Sequence, residues 1–165
     1  MGHRSLFFGV RAKRAFQGRT SPKTKSMPTA GIGGQRIDLN HEDAMRTASC
    51  ACGQLSISCN GEPQLVAQCH CLDCQKRTGS TYGVAAFFAR DKVEAGGDAR
   101  TYRRSARSGH HVTFHFCPGC GSSVFWEPEQ KPEWIAVAVG CFADPAFPAP
   151  AHVGWEERRH PWVSG

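Results

Sequence analysis

Phe116-Cys117-Pro118-Gly119-Cys120-Gly121-Ser122-Ser123-Val124-Phe125-Trp126 sets two thiols three residues apart between two strand-like stretches. Two thiolates at this spacing bind one metal ion if the loop between them turns tightly. Gly119 and Gly121 permit the turn, because glycine accepts positive φ at little cost. A redox dithiol would instead open a helix after a strand. Here Gly121-Ser122-Ser123 and a further strand follow, so the pair reads as half of a tetrahedral metal site. Residues 112–116, just before it, alternate apolar and polar. That puts Val112, Phe114 and Phe116 on one strand face and Thr113 and His115 on the other.

The same texture runs from Ala48 onward: short strand candidates separated by Gly, Pro and Asp turns. Leu55-Ser56-Ile57 alternates, and Asn60-Gly61-Glu62-Pro63 turns. Residues 64–69 form a second strand candidate, and the apolar run 82–89 (YGVAAFFA) suits a buried strand. After Gly96-Gly97-Asp98, residues 100–104 read as a more exposed strand. Val124-Phe125-Trp126 and the run 134–139 (WIAVAV) complete the set. The one helical hint is a short turn near residues 72–76. An all-β domain of short antiparallel strands is therefore expected over residues 47–165.

Charge separates the two ends of the chain. Residues 1–46 carry nine Lys/Arg and three Asp/Glu, which accounts for the whole net charge of +6. Residues 47–165 carry eleven of each sign, so basic character gives no argument for nucleic-acid binding by the body. The leader, with RAKRAFQGRTSPKTKSMPTAGIGG, lacks apolar periodicity and reads as a solvated extension or an over-long start, Met45 being a sensible first residue. A transit peptide and a nucleic-acid-seeking arm are the alternatives. No apolar run approaches the length of a membrane span, and Leu6-Phe7-Phe8-Gly9-Val10 is too short for a signal-peptide core. A reducing, cytoplasmic setting is expected, in which clustered cysteines more often bind metal than form disulfides.

The chain has nine cysteines. Seven fall in clusters: Cys50 and Cys52; Cys69, Cys71 and Cys74; Cys117 and Cys120. A closed structural zinc site takes four ligands and a catalytic one takes three plus an open position, so seven suits one of each. Spacing alone leaves the pairing open: Cys117 and Cys120 can close a site with Cys50 and Cys52, or with Cys71 and Cys74 as a ribbon. His70 alternates away from its flanking cysteines and reads as a supporting or surface histidine rather than a ligand. Cys59 and Cys141 read as small packing residues.

These segments together resemble the glutathione-dependent formaldehyde-activating enzyme family, which also includes centromere-protein-V-like members. The carriers are CACGQL at 50–55, CHCLDCQKRTGS at 69–80, FCPGCGSSVFW at 116–126, VAVGCFADP at 137–145 and RRHPWV at 158–163. The resemblance spans about residues 48–163 and none of the leader. It implies a β-tent architecture and two zinc ions per chain. It assigns Cys50, Cys52, Cys117 and Cys120 to the structural zinc and Cys69, Cys71 and Cys74 to the catalytic one. It implies a carbon–sulfur lyase reaction on a small thiol–aldehyde adduct, such as S-hydroxymethyl glutathione. Lys76, Arg77 and Thr78, directly after the triad, are the candidate substrate contacts, the two cations for a carboxylate. Three thiolates make a weak Lewis acid, which favours binding and activating a thiol over polarising the aldehyde. Two features depart from the family pattern: Cys141 and Ala143 stand where an aliphatic residue and an acid are common, and His115 where many members carry arginine. The last bears on recognition of an anion. Two other functions remain open: a non-catalytic zinc module for protein or nucleic-acid interaction, and a methionine sulfoxide reductase acting through Cys141. Small-molecule partners and no membrane are expected.

Overall fold

A computed structural model describes residues 44–106 and 108–164. Residues 1–43, most of the expected basic extension, lie outside the described residues. The strands in chain order are β1 (Met45–Ser49), β2 (Ser56–Asn60), β3 (Leu65–Cys69), β4 (Gly83–Ala89) and β5 (Val93–Gly96). They continue as β6 (Arg100–Ser105), β7 (His111–Phe116), β8 (Ser123–Pro128), β9 (Trp134–Ala138) and β10 (His152–Gly154). The α-helix α1 (Leu72–Thr78) follows β3. Met45 and Arg46, assigned to the extension by sequence, pair with Asn60 and Cys59 in β1.

Strands apolar on both faces must be covered twice, and they take the middle of the sheet. β4 lies between β3 and β9 in a seven-stranded sheet ordered β10-β3-β4-β9-β8-β7-β6. All its pairings are antiparallel except β10 with β3. β1, β2 and β5 form a second, antiparallel sheet. Alternation along the central strands feeds two cores. Ala86, Phe88, Ile135 and Val137 point toward the small sheet and pack with Ala48, Leu55, Ile57 and Cys59. Phe114, Trp126, Ala85 and Ala136 point the other way and form a smaller cluster. Between β7 and β8 the register slips, so that His115 faces Phe125 while Phe116 faces Ser123. This bulge leaves Val124 as an extra residue, and Val124 and Phe125 both reach the larger core.

The polar face read for β7 is not simply solvated. The His115 ring stacks on Phe125 with centroids 4.3 Å apart, and its Nε2 lies 2.8 Å from Glu127 Oε1. Arg90 Nη2 donates to the other Glu127 oxygen at 2.7 Å. Burial pushes the Glu127 carboxyl up, but Arg90 and His115 outweigh it and hold it below its ordinary 4.5. A depressed folded value means the carboxylate stabilises the fold above the ordinary carboxylate range. That contribution disappears as pH falls through the lowered value. Glu127→Gln is expected to cost about 1 kcal/mol at pH 7. The deficit should fade in urea titrations repeated below about pH 4.

Candidate metal centres

Two loops meet to make the first cluster. Cys50 and Cys52 lie in the turn between β1 and β2, and Cys117 and Cys120 in the turn between β7 and β8. Each turn closes on a glycine: the Gly53 amide donates to the Cys50 carbonyl at 3.0 Å and the Gly121 amide to the Cys117 carbonyl at 2.9 Å. Both glycines sit at positive φ, 79° and 74°, as a tight knuckle requires. Gly119 does not adopt positive φ. A Cβ there would lie 3.1 Å from Oε1 at the end of the Gln54 side chain, a close contact that a small shift of that side chain would relieve. The two loops are joined by the Ala51 amide, which donates to Ser122 Oγ at 3.1 Å.

The four sulfurs lie within 4.8 Å of one another. Cys50 and Cys52 Sγ are 3.5 Å apart and Cys52 and Cys117 Sγ 3.6 Å. Zinc–sulfur bonds of about 2.3 Å in a tetrahedron put the sulfurs about 3.8 Å apart, so the cluster has the size and donor chemistry of a four-thiolate zinc site. The clustered thiols also shift one another's proton affinities. Hydrogen bonds from the Ser122 hydroxyl and backbone draw Cys120 down to about 5. The Leu55 amide, 3.2 Å from Cys50 Sγ, leads the lowering of Cys50. The Gln54 backbone pulls Cys52 the same way, but the three neighbouring thiols outweigh it and push Cys52 up to about 12. A divalent ion would relieve this crowding. Cys50 and Cys117 are buried, Cys52 and Cys120 exposed.

Gly97 lets the first knuckle approach the turn between β5 and β6. Its φ is +87°, and a Cβ there would fall 1.8 Å from the Gln54 carbonyl oxygen. Gln54 also reaches Asp98 Oδ2 through its side-chain amide at 3.3 Å. Gly97→Ala combines left-handed strain with a backbone collision. It is expected to cost about 3 kcal/mol or more, seen as a lower denaturation midpoint.

The second cluster joins Cys69, Cys71 and Cys74, whose sulfurs also lie within 4.8 Å of one another. Cys69 ends β3. Cys71 is the N-cap of α1, its sulfur accepting the Cys74 amide at 3.4 Å. Among the described residues no fourth His, Cys, Asp or Glu joins them. The hydrogen bond Cys74 gives Cys69, aided by burial, raises Cys74 far above the thiol range. The same bond lowers Cys69. Three half-buried sulfurs gathered this closely again suit a cation of zinc's size and softness.

His70 is fully buried, so it is not a surface residue. Gln68 Nε2 lies 2.9 Å from His70 Nε2. The two groups are in hydrogen-bonding contact, while His70 Nδ1 is buried without a hydrogen-bond partner among the described residues. The ring packs 5.5 Å from that of Tyr82, and the imidazole does not join the triad. Its carbonyl receives Gln75 Nε2 at 2.8 Å, and the same amide reaches the Arg158 carbonyl at 3.2 Å. Gln75 Oε1 lies 3.1 Å from His160 Nε2. Gln75 thus ties the triad loop to residues 158–160, a clasp that sequence spacing could not show.

The cations after the triad divide. Lys76 lines a cavity of about 220 Å³ with Cys71, Asp73, Trp155 and Arg158. Lys76 and Arg77 both line a larger one of about 540 Å³ with Arg104 and Phe114. Burial lowers the pKa of Arg77, with the neighbouring Cys74 thiol opposing the shift. Thr78 lines neither cavity; its hydroxyl donates to the Cys74 carbonyl at 2.9 Å, finishing the helix. Sequence reading assigned no role to Arg104 or Trp155, and Arg158 entered only as the first residue of RRHPWV; each reaches α1 from a distant element. Cys59 is fully buried and raised to about 12 by burial, and Cys141 packs half-buried on the larger core.

The sequence profile of the family described as glutathione-dependent formaldehyde-activating enzyme matches residues 45–163. No curated protein matches the chain significantly. Among solved structures, a Rhodobacter sphaeroides protein aligns at 19% identity with a TM-score of 0.48, over 65% of this chain and 98% of its own.

Proposed function

This chain belongs to the glutathione-dependent formaldehyde-activating enzyme family, and from that premise we propose that it is a zinc-dependent carbon–sulfur lyase acting on a small thiol–aldehyde adduct. In this reading Cys50, Cys52, Cys117 and Cys120 hold a structural zinc on a β-tent, and Cys69, Cys71 and Cys74 hold a second, catalytic one. The observation that carries it is the contrast between the clusters: a closed set of four sulfurs, and a set of three beside a cavity. A zinc ion on the triad would supply a positive centre that favours the thiolate form of a substrate thiol.

The chain's own residues add to this. Lys76 and Arg158 place positive charge in the cavity at Cys71, where it attracts an anionic substrate and stabilises developing negative charge. Trp155 gives the cavity an apolar wall, and Gln75 fixes the segment that carries Arg158. In the synthetic direction the thiol sulfur bonds to the aldehyde carbon, the thiol proton leaves, and the carbonyl oxygen takes up a proton. Cleavage reverses each change.

The test is magnetisation exchange between labelled formaldehyde and its hydroxymethyl adducts, with glutathione and a panel of other thiols. At least a hundredfold acceleration with one thiol is expected. No acceleration with any thiol would leave a non-catalytic zinc module as the better reading.

A further inference from the structure

The larger cavity contains none of the seven clustered thiols, yet it is built for a ligand. Its floor is the smaller core's open side: Phe114 and Phe116 from β7, with Tyr102 from β6 at the rim. Tyr102 is exposed although it lies on an aromatic wall. Three cations surround this surface: Lys76, Arg77 and Arg104. Two are already oriented. The Arg77 guanidinium lies 4.4 Å from the Trp126 ring centre and 5.5 Å from that of Phe114. The Arg104 guanidinium lies 5.4 Å from Phe114, and its Nη1 donates to Asp73 at 3.2 Å and to the Ser105 carbonyl at 3.1 Å.

Charge in the cavity is unbalanced. Asp73 is the one acid lining it and is engaged by Arg104. Arg77 pairs with no carboxylate among the described residues, and its Nε is buried without a partner. Guanidinium groups held beside aromatic rings bind carboxylates well, because less freedom remains to be lost on binding. The rings beside them offer stacking area to a flat body. A wholly polar ligand would leave that aromatic surface wet, and an uncharged one would leave the cations unused.

We infer that this cavity binds a small aromatic carboxylate, its ring on the Phe114–Phe116–Tyr102 surface and its carboxylate toward Arg104 and Lys76. The assignment goes beyond the reaction proposed above and does not depend on it, since it invokes neither thiol nor metal. Where both hold, the enzyme prefers thiol adducts that carry an aromatic acid.

The full chain is titrated calorimetrically with 2-naphthoate, with 2-naphthalenemethanol, which keeps the ring and drops the charge, and with acetate, which does the reverse. Naphthoate is expected to bind at least tenfold tighter than either. Arg104→Gln and the exposed-site variant Lys76→Gln, each verified as folded by circular dichroism, should weaken naphthoate about tenfold and about threefold. Neither should change the affinity for the alcohol. Equal affinity for naphthoate and the alcohol overturns the inference, as does unchanged naphthoate binding in both variants. Loss of thiol turnover with naphthoate binding intact would count against the lyase reading alone.

Discussion

Cys120→Ser is expected to unfold the domain as thoroughly as Cys117→Ser, although one residue is exposed and the other buried. The comparison separates two causes. If Cys117 matters only as packing, its replacement puts a hydroxyl in the core and costs about 1–3 kcal/mol. Cys120→Ser at the surface would then cost almost nothing. If both hold a structural zinc, each change removes one of four soft donors. Metal binding of this type is worth roughly 10–16 kcal/mol in small domains, comparable to or above a total stability of about 5–15 kcal/mol. The cluster joins the turn after β1 to the turn after β7, so its loss leaves the shared core alone to hold the small sheet on the large one. The measurement is thermal unfolding by circular dichroism with and without a strong chelator. Both variants, and the chelated native chain, should lack a cooperative transition at 25 °C and above. A Cys120→Ser chain melting like the native one would remove the structural role of the four-sulfur set.

Sequence legibility followed burial. The apolar run in β4 was readable because its side chains are buried on both faces, and the alternation in β7 because Val112, Phe114 and Phe116 share one face, although only Phe114 is buried. β1 was not, because only Ala48 of its five residues is buried. β5 and β10 have four and three residues with no buried side chain, so hydrophobic pattern had nothing to report there. β10 owes its place to parallel pairing with β3, a long-range backbone contact. The seven thiols were visible from spacing, but which of them share a site was not; the resemblance implied a division, and the folded chain brings together four and three sulfurs in that division. The cavity residues Arg104, Trp155 and Arg158 escaped for a related reason. They come from β6 and from the segment after β10, and only the tertiary fold sets them against α1.

The N-cap position makes Cys71→Ser the sharpest probe of the triad. Cys71 caps α1 by accepting the Cys74 amide, and serine is among the best residues for that task. The substitution therefore keeps the helix start while replacing a soft thiolate with a hydroxyl that stays protonated. No side chain of α1 is fully buried, so little core energy rides on it. Metal analysis should fall from two ions per chain to about one, with the melting temperature within about 4 °C of the native value, the shift expected for about 1 kcal/mol in a domain this size. Turnover of thiol–aldehyde adducts should drop at least a hundredfold, as when a group essential to transition-state stabilisation is removed. The opposite pattern to Cys120→Ser, with activity lost and fold kept, is what a division between a fastening cluster and a working cluster requires. A Cys71→Ser chain that unfolds with the tetrad variants, or that retains two ions and full turnover, would show that the two groups of sulfurs do not divide the labour in this way.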